Sequence, residues 1–183
     1  MKHIYQDIDG WFTFPTFYSK LVEQAKSGFH FVEVGAWKGK STAYMGVEIA
    51  NSNKKIRFDC IDTWQGNPDW DEPLLKTPNA LYEHFLDNIK LIKEFVNPIR
   101  STSVDASMLY QDKTIDCVFI DGDHEYQSVC EDINCWLPKI RAGGLLSGHD
   151  FAYEPVKKAL ADTLKSGFVD YGNQENVWIF KVA

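Results

Sequence analysis

Apolar residues recur along this chain in two rhythms. Short runs rich in Val, Ile, Leu and Phe stand at 29–34 (FHFVEV), 56–61 (IRFDCI), 97–101, 115–120 (IDCVFI), 144–148, 167–171 and 176–181. Their length and their bounding Gly, Pro and Asn residues predict strands. Longer amphipathic stretches alternate with them and predict helices at 17–27, 40–51, 79–95, 104–110, 125–139 and 154–165. In the fifth, Val129, Ile133, Trp136 and Leu137 follow at i, i+4, i+7 and i+8, a stripe suited to lie on a sheet. Pro138, Gly143 and Gly144 close that unit.

Strands alternating with helices mean repeated βα units, so the expected fold is α/β: a Rossmann-like three-layer sandwich around a mostly parallel seven-stranded sheet. The last two strands are too close together for a crossover helix and are expected to pair as an antiparallel C-terminal hairpin at the edge.

The chain has 183 residues, which suits one domain over 1–183. Two pieces stand apart from the βα rhythm. Residues 1–28 form a helical, aromatic cap containing WFTFPTFY (11–18), which either covers a crevice or contacts a second copy. The long irregular piece WQGNPDWDEPLLKTP (64–78) is a candidate lid.

Nineteen basic against twenty-six acidic residues give a net charge of −7, which argues against a nucleic-acid partner and against an anionic membrane surface. No apolar run is long enough for a secretory core or a membrane span, so a cytoplasmic protein is expected. Cys60, Cys117, Cys130 and Cys135 have no CxxC spacing and read as reduced thiols, the first two inside strand runs.

The chemistry gathers where strands end. After the first strand, FVEVGAWKGKST turns through Gly35 and Gly39 into a helix start, so backbone amides face whatever lies beyond the strand end. A dinucleotide site would want GxGxxG, but Trp37 occupies the second glycine's place and Glu33 adds a negative charge that would repel a pyrophosphate. That acid suits a ligand with a cationic ammonium end, such as S-adenosylmethionine. The second strand run leads into Asp62, placed to accept the hydroxyls of a ribose.

The pieces VEVGAWKGKST, CIDTWQG, IRSTSVDAS, IDCVFIDGDHEY and DINCWLPKIRAGGLLSGHDF resemble, in order and spacing, the class I S-adenosylmethionine-dependent methyltransferases. Within that class the likeness is to the small-molecule family of macrocin-type sugar O-methyltransferases and cephalosporin-hydroxylase-like proteins. The resemblance implies that Glu33, Gly35 and Gly39 surround the methionine part of the cofactor, that Asp62 holds its ribose and that Ser103 lies near its adenine. With Ser41, Thr63 and Asp121 these make up the expected cofactor-binding set.

Asp121 ends the fourth strand and His149 with Asp150 ends the fifth, so two carboxylates and an imidazole are expected to converge. Such a set can hold Mg²⁺ or Mn²⁺. Metal-dependent relatives bind a divalent ion through the same layout, although they carry Asp, Glu or Asn where this chain has His149. Methyl transfer to a hydroxyl needs an aligned acceptor and a base; His124 is the first candidate base and His149 the second. Asp123 either orients an imidazole or caps the next helix, and Asp150 could cap a helix while His149 hydrogen-bonds inside the crevice. Trp64, Trp70, Tyr126 and Tyr153 stand around the same rim, as acceptor contacts or as packing.

The expected activity is therefore O-methylation of a small-molecule hydroxyl, on a sugar or secondary metabolite, with a metal assisting and a homo-oligomer in view. A non-catalytic S-adenosylmethionine-binding module is the alternative. A metal-dependent hydrolase is a weaker one, because it leaves the glycine loop and Asp62 unexplained.

Overall fold

The computed structural model describes residues 1–67, 72–172 and 174–183. Trp70 lies outside the described residues. Seven strands form one sheet: β1 (His30–Val34), β2 (Arg57–Asp62), β3 (Asn97–Arg100), β4 (Ile115–Ile120), β5 (Ile140–Gly148), β6 (Phe168–Asp170) and β7 (Trp178–Lys181). Their order is β3-β2-β1-β4-β5-β7-β6. The five from β3 to β5 are parallel, and β7 runs antiparallel between β5 and β6. The expected hairpin is thus present, but only β6 is the edge; β7 pairs Leu145–Gly148 of β5 on its other side.

Strand alternation sends Phe31 and Glu33 to one face of the sheet and Val32 and Val34 to the other. Helices α1 (Pro15–Gln24), α2 (Lys40–Ser52) and α3 (Ala80–Asn88) cover the first face through Tyr18, Met45, Phe85 and their neighbours. Helices α4 (Ser103–Ser107), α5 (Tyr126–Trp136) and α6 (Glu154–Leu164) cover the second through Ala106, Ile133, Trp136 and Leu160. This is the expected three-layer sandwich. The stripe predicted on α5 points inward, with Val129, Ile133 and Trp136 all buried.

Three boundaries differ for physical reasons. The predicted helix 79–95 stops at Asn88, and the chain continues in tight turns in which the Ile92 amide donates to the Ile89 carbonyl and the Phe95 amide to the Ile92 carbonyl, at 2.9 Å each. These turns drop Ile92 onto Gly46 of α2, where any side chain would lie 2.7 Å from it. The first helix begins at Pro15, which fits a first-turn position, earlier than the apolar spacing implied. Strand β5 begins at Ile140 and runs through Gly143 and Gly144, residues read as punctuation.

The strand order reverses between β1 and β4, each of which extends the sheet in its own direction. In an open parallel sheet the crevice beyond the carboxyl ends of such a pair is where ligands bind.

Candidate active site at the carboxyl ends of the strands

The glycine loop is fixed by backbone contacts. Gly35 has φ of +91°, and a Cβ there would lie 2.1 Å from the carbonyl oxygen of Asp121, so only glycine lets the loop after β1 rest on the loop after β4. Gly39, with φ of +88°, gives the same freedom against the Phe85 ring of α3. Lys38, between them, is buried and paired at 2.7 Å with both Asp9 and Glu72. The loop's own cation is thereby committed away from the crevice.

Asp62 does more than sequence reasoning expected. One carboxylate oxygen accepts the Ala36 and Trp37 amides at 2.8 Å each, and the other accepts the Trp64 amide at 2.7 Å. The residue fastens the end of β2 to the glycine loop. A carboxylate has about four lone-pair sites, so one acceptor position is left. Thr63 beside it accepts the Gln65 amide at 3.2 Å.

Glu33 is fully buried one layer beneath the loop. Tyr18 donates to it at 2.8 Å, Thr42 donates at 2.5 Å, and the Ser41 hydroxyl also bonds it. Burial pushes its carboxyl up to about 7 despite these donors. Ser103 opens α4 behind an N-cap supplied by Thr102, and its hydroxyl accepts the Trp136 indole N–H at 2.9 Å. The structure therefore brings Gly35, Gly39, Asp62, Thr63 and Asp121 to the strand ends. Glu33 and Ser41 stand behind them, and the Ser103 hydroxyl is turned to α5.

The acid and histidine residues meet as expected, with a different division of contacts. Among the described residues, Asp121, His124 and Asp150 have ligand atoms all within 4.8 Å of one another. His124 Nε2 lies 2.6 Å from Asp150 Oδ2 and 3.9 Å from Asp121 Oδ1. His149 aims Nδ1 at the same two carboxylates, 3.1 Å from Asp150 and 3.5 Å from Asp121, while its Nε2 meets Thr13 Oγ1 at 2.8 Å. Both imidazoles thus face both acids. Thr13 was missed: covering a crevice was one alternative for the segment 11–18, but no local pattern ties this residue to one 136 positions away. Asp150 has φ of +56°, a strained left-handed turn that points the carboxylate back into the cluster instead of capping α6. Asp123 is not the N-cap of α5, which is Glu125 without a side-chain bond; it accepts the Glu125 amide at 3.2 Å and the Ser128 hydroxyl at 2.7 Å.

The electrostatics follow from two acids and two imidazoles sharing one site. Burial raises the Asp121 carboxyl above the usual range. Burial also opposes the charge on Asp150, but bonds from His124 and His149 outweigh it and hold that carboxyl well below the usual range. Hydrogen bonds to Asp121 and Asp150 lift His124 to about 10. Burial pulls His149 down, and the Asp150 bond with the neighbouring negative charges more than restores it. Held this way, His124 carries a proton at neutral pH. A small cleft beside the cluster is lined by Ile120, Asp121, Gly122, His124, His149 and Trp178.

The rim aromatics mostly pack. Trp64 is 2% exposed against Tyr82 and Phe85, and its indole N–H bonds the Trp37 carbonyl at 3.0 Å. Tyr126 bonds Asp162 at 2.8 Å on the surface, and Tyr153 is exposed at the start of α6.

A family profile described as a methyltransferase domain matches residues 32–151, from the glycine-loop strand through the acid and histidine cluster. The chain belongs to this methyltransferase family. The chain is 27% identical over 165 residues to the uncharacterized protein R132 of Acanthamoeba polyphaga mimivirus, covering 80% of this chain and 66% of that one. It is 26% identical over 119 residues to the uncharacterized protein y4gI of Sinorhizobium fredii, covering 65% of this chain and 13% of the other. The chain thus spans less than two thirds of either curated relative.

Among solved structures it resembles the S-adenosylhomocysteine-bound methyltransferase PaMTH1 of Podospora anserina, with a TM-score of 0.68 and 9% identity over 92% of this chain and 77% of that one. It also resembles the O-methyltransferase NovP, with a TM-score of 0.66 and 18% identity over 92% and 79%. What these share with the chain is the fold. No helix among the described residues is long and apolar enough to cross a membrane.

Proposed function

We propose that this methyltransferase moves a methyl group from S-adenosylmethionine to a hydroxyl of a small molecule, a sugar or secondary metabolite, with Mg²⁺ or Mn²⁺ assisting. The observation that carries the reading is the backbone contact of Gly35 with Asp121, which sets the donor loop directly against the acid and histidine cluster. The residues suit a cationic donor: Asp62 and Asp121 line the crevice, Glu33 lies behind them, and Lys38 is engaged with Asp9 and Glu72. When bound, S-adenosylmethionine supplies an electrophilic methyl on a sulfonium.

The remaining position on Asp62 accepts a ribose hydroxyl, with Thr63 beside it. Gly35 and Gly39 let the backbone close on the methionine part, and Ser103 stands on the adenine side at the end of β3. The donor set of two carboxylates and an imidazole fits a divalent ion, with Asp121 and Asp150 as the oxygen ligands and His149 Nδ1 aimed between them. His124 offers its Nε2 to the same carboxylates and is 44% exposed in its side chain, so it is the group that reaches an acceptor at the mouth. In its deprotonated form it receives the hydroxyl proton as the oxygen–carbon bond forms and the carbon–sulfur bond breaks. Asp121 and Asp150 would hold a divalent ion, and with their charge so engaged they would support less the protonated form of His124. The net charge of −7 fits a small acceptor in the cytoplasm better than a nucleic acid.

Isothermal titration with S-adenosylhomocysteine tests this. Binding is expected for the intact protein and lost in Asp62→Ala; absence of binding by the intact protein overturns the proposal. One observation favours a second reading, a cofactor-binding module without catalysis: His124 at about 10 is a poor base at neutral pH. Methyl transfer across a glycan and metabolite panel with Mn²⁺ present decides between the two.

A further inference from the structure

We propose that Thr13, carried in on the N-terminal segment, is a positioning residue that holds the His149 ring with Nδ1 aimed at Asp121 and Asp150. The assignment takes the acid and histidine cluster as the acceptor site of the reading above. Three observations support it.

The first is the double use of one hydroxyl. Thr13 Oγ1 lies 2.8 Å from His149 Nε2 and donates to the Glu175 carbonyl at 3.4 Å. A hydroxyl that donates to a carbonyl keeps its lone pairs for a ring N–H, so the chain Nε2–Thr13–Glu175 fixes the outer nitrogen of the imidazole. Torsion about the histidine ring bond is broad and roughly two-fold, so an imidazole held at one nitrogen only can turn over and present carbon to the carboxylates. On the inner side the hold is divided, because Asp150 Oδ2 serves His124 at 2.6 Å as well as His149 at 3.1 Å. The outer contact is what removes the ambiguity.

The second observation is that the segment is built to place Thr13. Asp9 pairs with Lys38 of the glycine loop, the Phe14 ring is 1% exposed with its centroid 5.0 Å from that of His149, and Glu175 accepts the Thr16 and Phe17 amides at 2.6 and 2.9 Å. Residues 9–14 therefore run from the glycine loop to His149. The Trp178 indole fixes the backbone of the same histidine by donating to its carbonyl at 3.0 Å. The third is that Thr13 itself is exposed, so burial of its side chain does not account for its contact with His149. Ligating and catalytic imidazoles are commonly oriented in this way, through the nitrogen away from the reaction.

The test is a long-range ¹H–¹⁵N spectrum of the five histidines in the full chain, with the His149 signals assigned through His149→Gln. The intact protein is expected to show one His149 pattern with a single ring orientation. Thr13→Val is expected to lose it, by averaging or by a second set of signals, with His3, His30 and His84 unchanged. Thr13→Ser, which keeps the hydroxyl, is expected to restore it. If valine disturbs the segment, Thr13→Ala gives the same reading without the branched side chain. An unchanged His149 pattern in the valine and alanine variants overturns the proposal, as does a serine variant that behaves like valine. Titration of the same samples with S-adenosylhomocysteine judges the methyl-transfer reading separately: failure to bind would leave the imidazole spectra to decide Thr13 alone.

Discussion

The sheet carries aspartates with histidine partners at both ends, buried at the amino ends and half-buried at the carboxyl ends, and the two sets are neutralised differently. At the amino ends of the strands, Asp59 receives His30 Nε2 at 2.8 Å, Arg57 Nη2 at 2.9 Å, Asn97 at 2.9 Å and the Tyr110 hydroxyl at 3.0 Å. Beside it Asp116 pairs with Arg141 and accepts the His30 amide at 2.8 Å. Burial opposes the charge on Asp59, but its donors outweigh it and bring the carboxyl down to about 2. At the carboxyl ends, Asp121 and Asp150 face each other across two imidazoles, with no arginine or lysine among their ion pairs to the described residues, and the Asp121 carboxyl is raised. An arginine satisfies a carboxylate permanently, whereas an imidazole can give its proton up. One set locks strands together and the other keeps its charge exchangeable, which is the arrangement a reacting site needs.

The largest test of this contrast is Asp121→Asn. Methyl transfer with an identified acceptor is expected to fall about 10²–10⁴-fold, the usual range for lost acid–base assistance, while stability to urea changes by roughly 1 kcal/mol or less. Asp59→Ala should do the reverse. Removing a buried partner and stranding His30, Asn97 and Tyr110 is expected to cost about 3–5 kcal/mol in denaturant unfolding. Cofactor affinity per folded molecule should stay as it was. If Asp59→Ala instead spared stability and removed activity, the division between the two ends would be wrong.

A smaller effect separates Glu33 from both sets. Its folded pKa of about 7 lies above the unfolded value, so its neutral form favours the fold. That contribution is complete at acid pH and is lost as pH rises from about 4.5 through 7. The shift corresponds to roughly 3 kcal/mol. Glu33→Gln is therefore expected to flatten the stability profile over that window and to raise the melting temperature at pH 8. Smallest is the acid limb. The depressed Asp59 pKa adds stability that is present above about pH 4 and lost as pH falls toward 2, roughly 2 kcal/mol that Asp59→Asn should remove from the profile.

Local rhythm made the fold legible. The run IDCVFI is β4 from end to end, and the stripe on α5 faces the sheet as its spacing required. The helix at 79–95 failed because its last third answers to Gly46 on a distant helix, a contact no local pattern carries. The same holds at the site. Asp121, His124, His149 and Asp150 were visible because strand ends collect chemistry. That both imidazoles face both acids was not, because it depends on the left-handed turn at Asp150 and on Thr13 arriving from the N-terminal segment. Likewise the residues around Glu33 were readable as a motif, but its burial under Tyr18 and Thr42 is a matter of how α1 and α2 pack.

The three amides gathered by Asp62 carry a consequence for anyone who would re-engineer the cofactor pocket. If Asp62 also holds the ribose as proposed, the clasp between two strand-end loops cannot be exchanged to suit an altered ribose without slackening the glycine loop as well. Changes of cofactor preference are better sought at Thr63, whose one amide bond leaves it free to vary, with Asp62 kept as the fixed point around which the pocket is redrawn.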